Sequence, residues 1–570
     1  MAELYRVADQ HLGPKGDGHY AAYHALWHLF EIGVVDDLAT FASAAWDAAE
    51  ERARPTRVAL IDVSVAYEHP NLKYSIGRDL MIEGLDVPPG GSVLELGCAS
   101  GGNLLPLAFY LPEGRYLGIE LSARQVEDGR RLVAALGLDN IRIERGDILE
   151  LDDSIGEFDY IITHGVYSWV PPVVQARILD ICARHLAPHG VAYVSYNTWP
   201  GWRMRGVLRE MLLRYTRDAA SPGERLARAQ KLLEEFPAAL AHSDALPAQY
   251  LQGEIQRLRE SHPSYLYHEY LESFNQPQYV SEFIATAESH GLQYVCDADL
   301  KSMFPSVLGA AAEQWLEQFD ELAEQEQYLD FLVNRSFRQS LLCRADAPLE
   351  REIALETLER HAFFADLRPP ARPDLGSGRG QAFTTADDKP VEISHPLAKA
   401  ALLELAACYP DALGYETLFA RAAARVRRAG NAGAAEDGNG LLTELFLLFA
   451  HQAVGMTPLE HSFHRRIDAR PRVHRLARAQ AAAGLGHIAT ARHSSILLDP
   501  FSTRLLECLD GTRDVAQLTR RLTDDIRQGI VVLPDLKPAT PDQLHTQVRT
   551  NVERFLRLFA RQGVLAGSEA

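Results

Sequence analysis

The stretch Val93–Leu107, VLELGCASGGNLLPL, decides the fold of this chain. An apolar run over residues 93–96 meets Gly97, and a turn of small residues leads through Gly101 into apolar residues at helical spacing. This order predicts a buried parallel strand that turns sharply into a helix, at a point where side chains would block the backbone. Such a bare turn favours a nucleotide-like ligand at the helix N-terminus, although an ordinary strand–helix turn fits the same residues.

The composition is that of a large globular protein with an acidic surface. The chain has 570 residues, of which 47% are apolar and 24% charged, and a formal net charge of −20. A chain of this length is expected to form about three or four domains. The negative charge argues against nucleic acid as a partner, because phosphate binding needs concentrated positive charge, and it suits a basic, lysine-bearing substrate.

The cysteine pattern and the hydropathy predict a cytoplasmic protein. The six cysteines are scattered and form no C-x-x-C pair, as in proteins of a reducing compartment. The first residues lack the apolar core of a signal peptide, and no run approaches the about 18 apolar residues of a membrane span. We therefore expect no membrane span and a cytoplasmic location.

Strands and helices alternate strictly in the segment around the opening stretch. This alternation predicts an α/β fold with a parallel, doubly wound, Rossmann-like sheet that binds ligands at the carboxyl ends of its strands. Two later strands are interpreted as the sixth and seventh of the same sheet. The predicted strands are Ser92–Leu96, Arg115–Glu120, Ile141–Arg145, Asp159–Thr163, Val191–Tyr196, Leu292–Cys296 and Phe337–Cys343.

The rest of the chain divides into an insertion, a linker and C-terminal modules. A long helical pattern interrupts the core and is expected to lie over the strand ends as a lid. A Pro/Gly-rich run predicts a linker, and short helices with a strand pair beyond it predict mainly α, winged-helix-like modules. The predicted units are a helical segment of unassigned role at 1–65, the core at 66–345 with its insertion at 215–277, the linker at 346–380 and two modules at 381–470 and 471–570.

Acidic residues end the second and third predicted strands. Glu120 lies 23 residues after Gly97, and an acid about 20 residues beyond a glycine turn accepts hydrogen bonds from ribose hydroxyls. A solvated glutamate at a strand end is the alternative. Asp147 ends the third strand, where the alternative to a ligand contact is a turn-capping role.

Aromatic and polar residues follow the fourth strand in Thr163–Pro172, THGVYSWVPP. An aromatic-walled pocket accepts an aliphatic amine and stabilises the charge that develops as the amine is alkylated. His164 or Tyr167 can also steer or accept a proton. We predict His164, Tyr167 and Trp169 as catalytic residues, with Ser168 beside them in the substrate pocket. Aromatic side chains that simply pack a loop are the alternative.

Two further motifs extend the predicted substrate site. YNTWPGW, at Tyr196–Trp202, supplies Asn197 as a catalytic amide together with two tryptophans. YLYHEYLE, at Tyr265–Glu272, places a His-Glu pair on the lid, but without the H-E-x-x-H spacing, so we expect no metal and keep a lid-anchoring network as the alternative. The predicted substrate-binding residues in these motifs are Trp199, Trp202, Tyr267, His268 and Glu269.

Together, these motifs resemble the class I S-adenosylmethionine-dependent methyltransferases that carry a methyltransferase regulatory domain. The best-known members are the rickettsial protein lysine methyltransferases that modify outer-membrane proteins. The resemblance runs from about Tyr67 to Arg561 and includes NRSFRQSLLC and LDGTRD. The spacing Glu95-x-Gly97-x-Ala99-x-Gly101 is similar to motif I of class I methyltransferases, with Ala99 where the middle glycine usually stands. The segment before Tyr67 departs from the family, as does Glu120, where many members have Asp.

The resemblance implies S-adenosylmethionine as the cofactor and a protein acceptor near the residues that follow the fourth strand. It also implies dimerisation, and a helical middle domain and a C-terminal domain that help to hold the substrate. In class I members an acid at the place of Asp147 lies near the adenine amino group. The implied cofactor-binding residues are Glu95, Gly97, Cys98, Ala99, Gly101, Asn103, Glu120, Leu121, Gly146, Asp147, Ile148 and His164.

The sequence thus supports a hypothesis about the reaction. We expect methyl transfer from S-adenosylmethionine to a protein or peptide acceptor, at a lysine side-chain nitrogen, by in-line displacement. One alternative is a peptide or small-molecule O- or N-methyltransferase of a biosynthetic pathway. Another is a scaffold or regulator that binds the cofactor without catalysis.

Overall fold

The computed structural model describes residues 90–567, apart from residues 262, 299, 304, 350–354, 387, 452, 458–461, 491–492, 494 and 532–539. The helical segment predicted over residues 1–65 therefore lies outside the described residues. Among the helices that are described, none is both long and apolar enough to cross a membrane. The same part of the chain contains no group of three or more His, Cys, Asp or Glu residues that could hold a metal ion.

A seven-stranded sheet lies at the centre of the molecule, and the prediction of a class I methyltransferase-like α/β core is confirmed. Its strands are β1 Ser92–Leu96, β2 Arg115–Glu120, β3 Ile141–Arg145, β4 Phe158–Thr163, β5 Leu186–Asn197, β6 Leu292–Asp297 and β7 Phe337–Arg344. Their order in the sheet is β3-β2-β1-β4-β5-β7-β6. Strands β1 to β5 pair in parallel, and β1 is buried at every position, which explains its continuous apolar run.

The direction of the last strand differs from the parallel sheet predicted from the alternation. β7 lies between β5 and β6 and pairs antiparallel with both. A helical pattern between two strands shows only that a helix connects them. Whether the second strand then runs parallel or antiparallel to its neighbours depends on its contacts in the folded state. The sheet is therefore mixed at this edge.

Helices cover both faces of the sheet. They are α1 Leu104–Tyr110, α2 Ala123–Leu136, α3 Pro172–His185, α4 Gly201–Thr216, α5 Pro222–Leu240, α6 Leu246–Glu260, α7 Pro263–Leu266, α8 Val280–Ser289, α9 Ala310–Leu316 and α10 Leu322–Val333. α1 and α2 pack on one face through Leu104 and Val126. α3 and α8 pack on the other face through Ile178 and Phe283. The core is thus wound on both sides, as in nucleotide-binding α/β folds.

The helical insertion forms a body with its own apolar core. Helices α4 to α6 and the turn after α7 contribute buried side chains to one cluster that includes Leu208, Leu233 and Leu258. The prediction placed the start of the insertion at residue 215, but α4 already belongs to this cluster from residue 208 onward. After α7 the chain continues as a π-helical turn over Tyr267–Leu271, a rare geometry that often marks functional positions.

A buried charge cluster holds β7 in place. The Arg338 side chain is fully buried, and it forms ion pairs with Asp330 (2.8 Å) and Glu326 (2.7 Å) of α10 and lies 3.7 Å from Asp297 of β6. Arg335 pairs with the same Asp330. Because a buried ion that loses its partner is strongly destabilising, these contacts fix the reversed strand between its neighbours and α10.

The first C-terminal module begins earlier than the sequence predicted. Its elements are β8 Ala362–Phe364, β9 Leu367–Arg368, β10 Gln381–Thr385, β11 Pro390–Ile393, α11 Pro396–Cys408, β12 Leu413–Gly414, α12 Tyr415–Arg428, α13 Gly438–Ala450 and β13 Gly455–Thr457. β8 pairs with β12 and β13, and β9 pairs with β10. The linker predicted over 346–380 therefore contains two strands, which its Pro/Gly content concealed.

The last module has the winged-helix form that the sequence predicts. It contains α14 Arg475–Ala482, a hairpin of β14 His487–Ala489 and β15 Ser495–Leu497, and the helices α15 Pro500–Cys508, α16 Val515–Arg527 and α17 Pro541–Arg561. Leu476 of α14 and Ala489 of β14 belong to the same buried cluster as Leu105 of α1. The module thus packs directly against the helix that follows the glycine turn.

Candidate active site

The turn after β1 leaves the backbone bare where a cofactor would lie. Gly97, Ala99 and Gly101 have positive φ angles of +73°, +50° and +78°. A Cβ atom built on Gly97 would lie 2.5 Å from Cγ2 of Val166, and one on Gly101 would lie 2.6 Å from Cδ1 of Ile143. The two glycines are therefore required by geometry, whereas Ala99 accepts a left-handed conformation that costs about 1–2 kcal/mol.

Glu120 ties the end of β2 to this turn. Its Oε2 accepts a hydrogen bond from the Ala99 N–H (3.0 Å), and its Oε1 accepts one from the Ser122 N–H (2.9 Å). Burial raises the pKa of Glu120, and the two N–H donors act in the opposite direction. Each carboxylate oxygen has a second lone pair, so the ribose contact predicted from the sequence remains sterically and chemically open.

Glu95 is a buried carboxylate with an unused oxygen. Its Oε1 accepts a weak hydrogen bond from Asn103 Nδ2 (3.4 Å), and its Oε2 is buried with no hydrogen-bond partner in the structure. Burial raises the pKa of Glu95 to about 8, and the nearby Glu120 adds to the rise. An acceptor in this position fits the ammonium group or a bound water of an amino-acid-bearing nucleoside, so the donor set suits S-adenosylmethionine.

The remaining predicted cofactor residues surround the ends of β2 and β3. Cys98 points its Sγ at Gly118, where a Cβ would lie 2.5 Å away, so only its backbone faces the turn. The Gly146 N–H donates to the Glu120 carbonyl (3.0 Å). Asp147 caps a short turn by accepting a hydrogen bond from the Leu149 N–H (3.0 Å), so the capping role is realised. Leu121 and Ile148, both half-buried, flank these two strand ends.

His164 lies at the carboxyl end of β4 in an apolar setting. Its Nδ1 is 3.0 Å from the hydroxyl oxygen of Tyr193, and its ring meets the edge of Phe337 at 6.1 Å. Burial lowers the pKa of His164 to about 4, so the ring is neutral at pH 7. Val166, two residues further on, is the side chain that packs on Gly97. The β4 loop and the glycine turn therefore touch.

Three residues predicted for the reaction site are buried in the packing of the β4 loop. Tyr167 is 1% exposed, and its ring lies against Tyr196 and Phe283 in the core. The Ser168 hydroxyl oxygen accepts a hydrogen bond from the Asn197 N–H (2.8 Å), and the Asn197 side chain donates to Asn275. The catalytic role of Tyr167 and Asn197 and the substrate-binding role of Tyr167 and Ser168 stay predictions, and in the structure these side chains have partners inside the protein.

Three of the other predicted residues, Trp169, Trp202 and His268, come together with Tyr270, which the sequence did not predict. Trp169 lies 4.4 Å from the ring of His268 and 6.2 Å from that of Trp202, and Trp202 lies 6.2 Å from Tyr270. We name these four residues the aromatic cluster. It joins the β4 loop to the π-helical turn of the insertion. Trp199 stands apart from it, half-buried, with the Arg203 guanidinium over its ring at 4.7 Å.

Charged residues surround the aromatic cluster. The Arg205 guanidinium lies 5.6 Å from the ring of Trp202, and its Nε lies 3.5 Å from Glu254 Oε2. Glu254 Oε2 also accepts hydrogen bonds from Tyr270 and from Arg257, at 2.8 Å each. Burial raises the pKa of Glu269 to about 7 against the opposing effect of Arg205, Arg257 and Arg209. Glu269 and Tyr267 are half-buried on the same turn.

Comparison with known proteins agrees with this geometry. Sequence profiles match a methyltransferase domain over residues 93–190, a predicted methyltransferase regulatory domain over 262–344 and the PKMT C-terminal winged helix domain over 469–564. The chain is 30% identical over 469 residues to the uncharacterized protein RP789 of Rickettsia prowazekii (strain Madrid E), which covers 81% of this chain and 84% of that protein. The chain belongs to the class I methyltransferases that carry a methyltransferase regulatory domain.

The solved structures agree with this assignment. PKMT2 from Rickettsia typhi is similar with a TM-score of 0.76 and 27% identity, covering 88% of this chain and 100% of that one. The complex of PKMT2 with AdoHcy matches with a TM-score of 0.74 and 28% identity, covering 88% and 99%. This methyltransferase uses S-adenosylmethionine, as the family resemblance of its motifs implied.

The regulatory segment of this methyltransferase differs in place from the lid that the sequence suggested. The family match covers 262–344, which contains the π-helical turn, α8, α10, β6 and β7, whereas the predicted lid was 215–277. Sequence reasoning also missed Val166, Arg205 and Glu254. No local pattern reveals Val166 as the partner of Gly97. In the sequence, Arg205 and Glu254 look like ordinary charged residues of two helices. Nothing indicates that they pair, because they lie about 50 residues apart in the chain.

Proposed function

We propose that this methyltransferase transfers the methyl group to a lysine side-chain nitrogen of a protein. The observation that carries the proposal is the contact of Trp169 in the β4 loop with His268 in the π-helical turn, which also carries the half-buried Glu269 carboxylate. Trp202 and Tyr270, at 2% and 0% exposure, pack this contact from inside the protein. Aromatic faces attract a cationic amine, and a carboxylate orients it. The similarity to PKMT2 and the match to the PKMT winged helix domain support a protein acceptor.

The glycine turn and two carboxylates would hold the cofactor. Gly97 and Gly101 offer bare backbone, Glu120 lies beside the turn, and Glu95 presents its unused Oε2. When bound, S-adenosylmethionine supplies a methyl group on a sulfonium that is open to in-line displacement. The chain itself contributes position and orientation through the turn, on which Val166 packs.

The acceptor amine must lose its proton before it can attack. A free lysine has a pKa of about 10.4, so it is protonated at neutral pH. Glu269, with a pKa raised to about 7 by burial, accepts a proton near neutral pH. His164 stays neutral and keeps one ring nitrogen at the Tyr193 hydroxyl, so it adds no positive charge that would repel the amine.

The proposal is tested by the identity of the methylated product. The enzyme is incubated with radiolabelled S-adenosylmethionine and heat-denatured protein from a bacterial lysate, and the protein is then hydrolysed and its amino acids are separated. We expect the label in methylated lysine. Label confined to small molecules or to other amino acids would contradict the proposal.

The role of Glu269 is tested by a matched pair of variants. We expect Glu269→Gln to lower kcat by about 100-fold, the usual size of a proton-transfer contribution, with unchanged affinity for S-adenosylmethionine in calorimetry. Glu260→Gln, an exposed glutamate of α6, is the control and is expected to keep its turnover. If both variants have wild-type kcat, Glu269 does not accept the proton.

A further inference from the structure

Five aromatic residues of the regulatory segment form a connected surface outside the aromatic cluster. Phe319 and Tyr328 stack at 4.1 Å, and Trp315 meets both rings at 5.4 and 5.5 Å. Phe331 lies 5.9 Å from Tyr328 and 5.8 Å from Tyr279. Trp315 is 44% exposed and Phe331 46% exposed. We name these five residues the aromatic platform.

Large exposed aromatic side chains in contact with one another are uncommon on a protein that needs no partner there. An apolar patch of this kind marks an interaction site, and tryptophan and tyrosine supply much of the binding energy at such sites. Leu332 and Val333, at 47% and 39% exposure, continue the same apolar surface at the end of α10.

The segment that carries four of the five platform residues has negative charge alone. Residues 310–334 contain seven acidic residues and no Lys or Arg. Glu326 and Asp330 turn inward to Arg338. The other five are exposed, and they are Glu313, Glu317, Asp320, Glu321 and Glu324. Aromatic faces beside carboxylates favour a ligand that carries both apolar groups and positive charge.

The platform is joined to the site already described. Tyr279 accepts a hydrogen bond from Arg203 (3.1 Å), and the Arg203 guanidinium lies over Trp199 at the end of β5. On the other side of α10, Asn334 contacts the Met204 sulfur (3.4 Å), and Phe337 reaches the edge of His164. A continuous line of side-chain contacts therefore runs from Trp199, just after β5, through Arg203 and Tyr279 to Trp315.

We propose that the aromatic platform and its five exposed carboxylates dock a lysine-rich, partly apolar segment of the protein acceptor and lead it to the methyl-transfer site. The inference rests on the proposed function, because it assumes a protein acceptor that carries lysine. A second copy of this chain is the competing occupant. Its net charge of −20 makes it a poor electrostatic match for an acidic surface.

The binding experiment uses a peptide of defined chemistry. A fluorescein-labelled peptide of the repeat Lys-Phe-Gly and its Glu-Phe-Gly counterpart are titrated with the full-length enzyme, and fluorescence anisotropy is measured. We expect the lysine peptide to bind and the glutamate peptide not to bind. Trp315→Ala and the double variant E317K/E321K are each expected to weaken binding of the lysine peptide by about tenfold, a typical loss for an anchor residue.

Matched control variants remove similar groups elsewhere. Leu497→Ala truncates a side chain that is 68% exposed in the winged helix domain, and Glu416→Lys reverses an exposed charge on α12. Both are expected to bind the peptide as the wild type does. All variants are also titrated with S-adenosylmethionine, whose affinity we expect to stay unchanged because the platform lies outside the glycine turn.

The outcomes separate the docking surface from the reaction. If the enzyme methylates lysine but the platform variants keep wild-type peptide affinity and KM for protein, the docking proposal is wrong and the proposed function stands. If Trp315→Ala changes the mass in light scattering from dimer to monomer without changing peptide affinity, the platform is an interface between copies, which also overturns the proposal. If no lysine is methylated, the proposed function itself fails, whatever the peptide binding shows.

Discussion

The bare backbone at Gly97 makes the strongest test of the cofactor site, through Gly97→Ala. The added Cβ would lie 2.5 Å from Cγ2 of Val166, a distance that real Cβ atoms do not show. The residue also has a φ of +73°, where alanine is strained. The single added methyl group therefore tests both the backbone conformation of the turn and the contact of the turn with the β4 loop.

The size of the effect follows from these two terms. A positive φ costs an L-residue about 1–2 kcal/mol. Forcing one methyl group into a packed site costs about 1–3 kcal/mol more. The chain relieves the overlap only by moving the turn away from Val166, and this moves the backbone that holds the cofactor. Since about 1.4 kcal/mol corresponds to tenfold in affinity, we expect S-adenosylmethionine to bind at least about tenfold more weakly.

The assay compares three variants by calorimetric titration with S-adenosylmethionine and by urea unfolding. Gly137→Ala is the control, because Gly137 has a φ of +62° but no atom within 4 Å of its would-be Cβ. It is expected to lose stability from strain alone and to keep its cofactor affinity. The double variant Gly97→Ala/Val166→Ala removes Cγ2 of Val166 and with it the steric overlap. We therefore expect it to recover the part of the cofactor affinity that Gly97→Ala loses through this overlap.

Two results would refute this reasoning. Wild-type affinity in Gly97→Ala would show that the backbone of this turn does not bind the cofactor. A double variant no better than Gly97→Ala would show that the contact with Val166 is not what excludes a side chain at position 97.

Three further predictions concern the charges and the loop. The pKa of Glu95 is about 8 in the folded chain, against an ordinary value of 4.5, so the folded state binds more protons than the unfolded state between these pH values. The free energy of unfolding without cofactor should therefore fall as the pH rises from 4.5 to 8. In urea unfolding, Glu95→Gln should flatten this pH dependence, and an unchanged pH dependence would exclude Glu95 as its source. Arg338→Met should cost about 3–5 kcal/mol, because it removes the buried ion pair of Glu326 and one of the two arginine partners of Asp330. Arg344→Met, on the same strand but paired with the exposed Asp346, should cost less than about 1 kcal/mol, and equal losses would contradict the stabilising role of the buried charge cluster. Tyr167→Phe should keep kcat within about threefold, because it removes only the hydroxyl group and keeps the ring that packs against Tyr196 and Phe283. A large loss of kcat at constant KM would support a catalytic role for Tyr167.

The cofactor half of the site was predictable because its determinants are local. The strand β1, the positive φ angles and the acid at the end of β2 are separated by few residues, and each leaves a mark in the sequence as an apolar run, a glycine or a strand-end carboxylate. The winged-helix form of the last module was predictable for the same reason, since its short amphipathic helices are local patterns. The hairpin of β14 and β15 lies where the sequence predicted a single strand over Ile488–Leu498.

The acceptor half depended on contacts between distant residues. Tyr167 and Trp169 stand two positions apart in one motif and look alike as aromatic candidates, yet Tyr167 lies in the core against Phe283 while Trp169 meets His268 of the insertion. Which of them faces a substrate is set by segments about 100 residues further along the chain. No spacing within THGVYSW carries that information.

The sequence by itself determined the strand–turn–helix at the glycines and the succession of strands and helices along the core, because backbone conformation and hydrophobic periodicity are encoded within a few residues. The family and the cofactor followed from the resemblance of its motifs to those of known methyltransferases. Only the tertiary structure decided the reversed direction of β7, the packing of Val166 on Gly97, the aromatic cluster and the acidic aromatic platform. These features arise from side chains that burial, charge pairing and close packing bring together across the chain, and such forces act on distances in space rather than on positions in sequence.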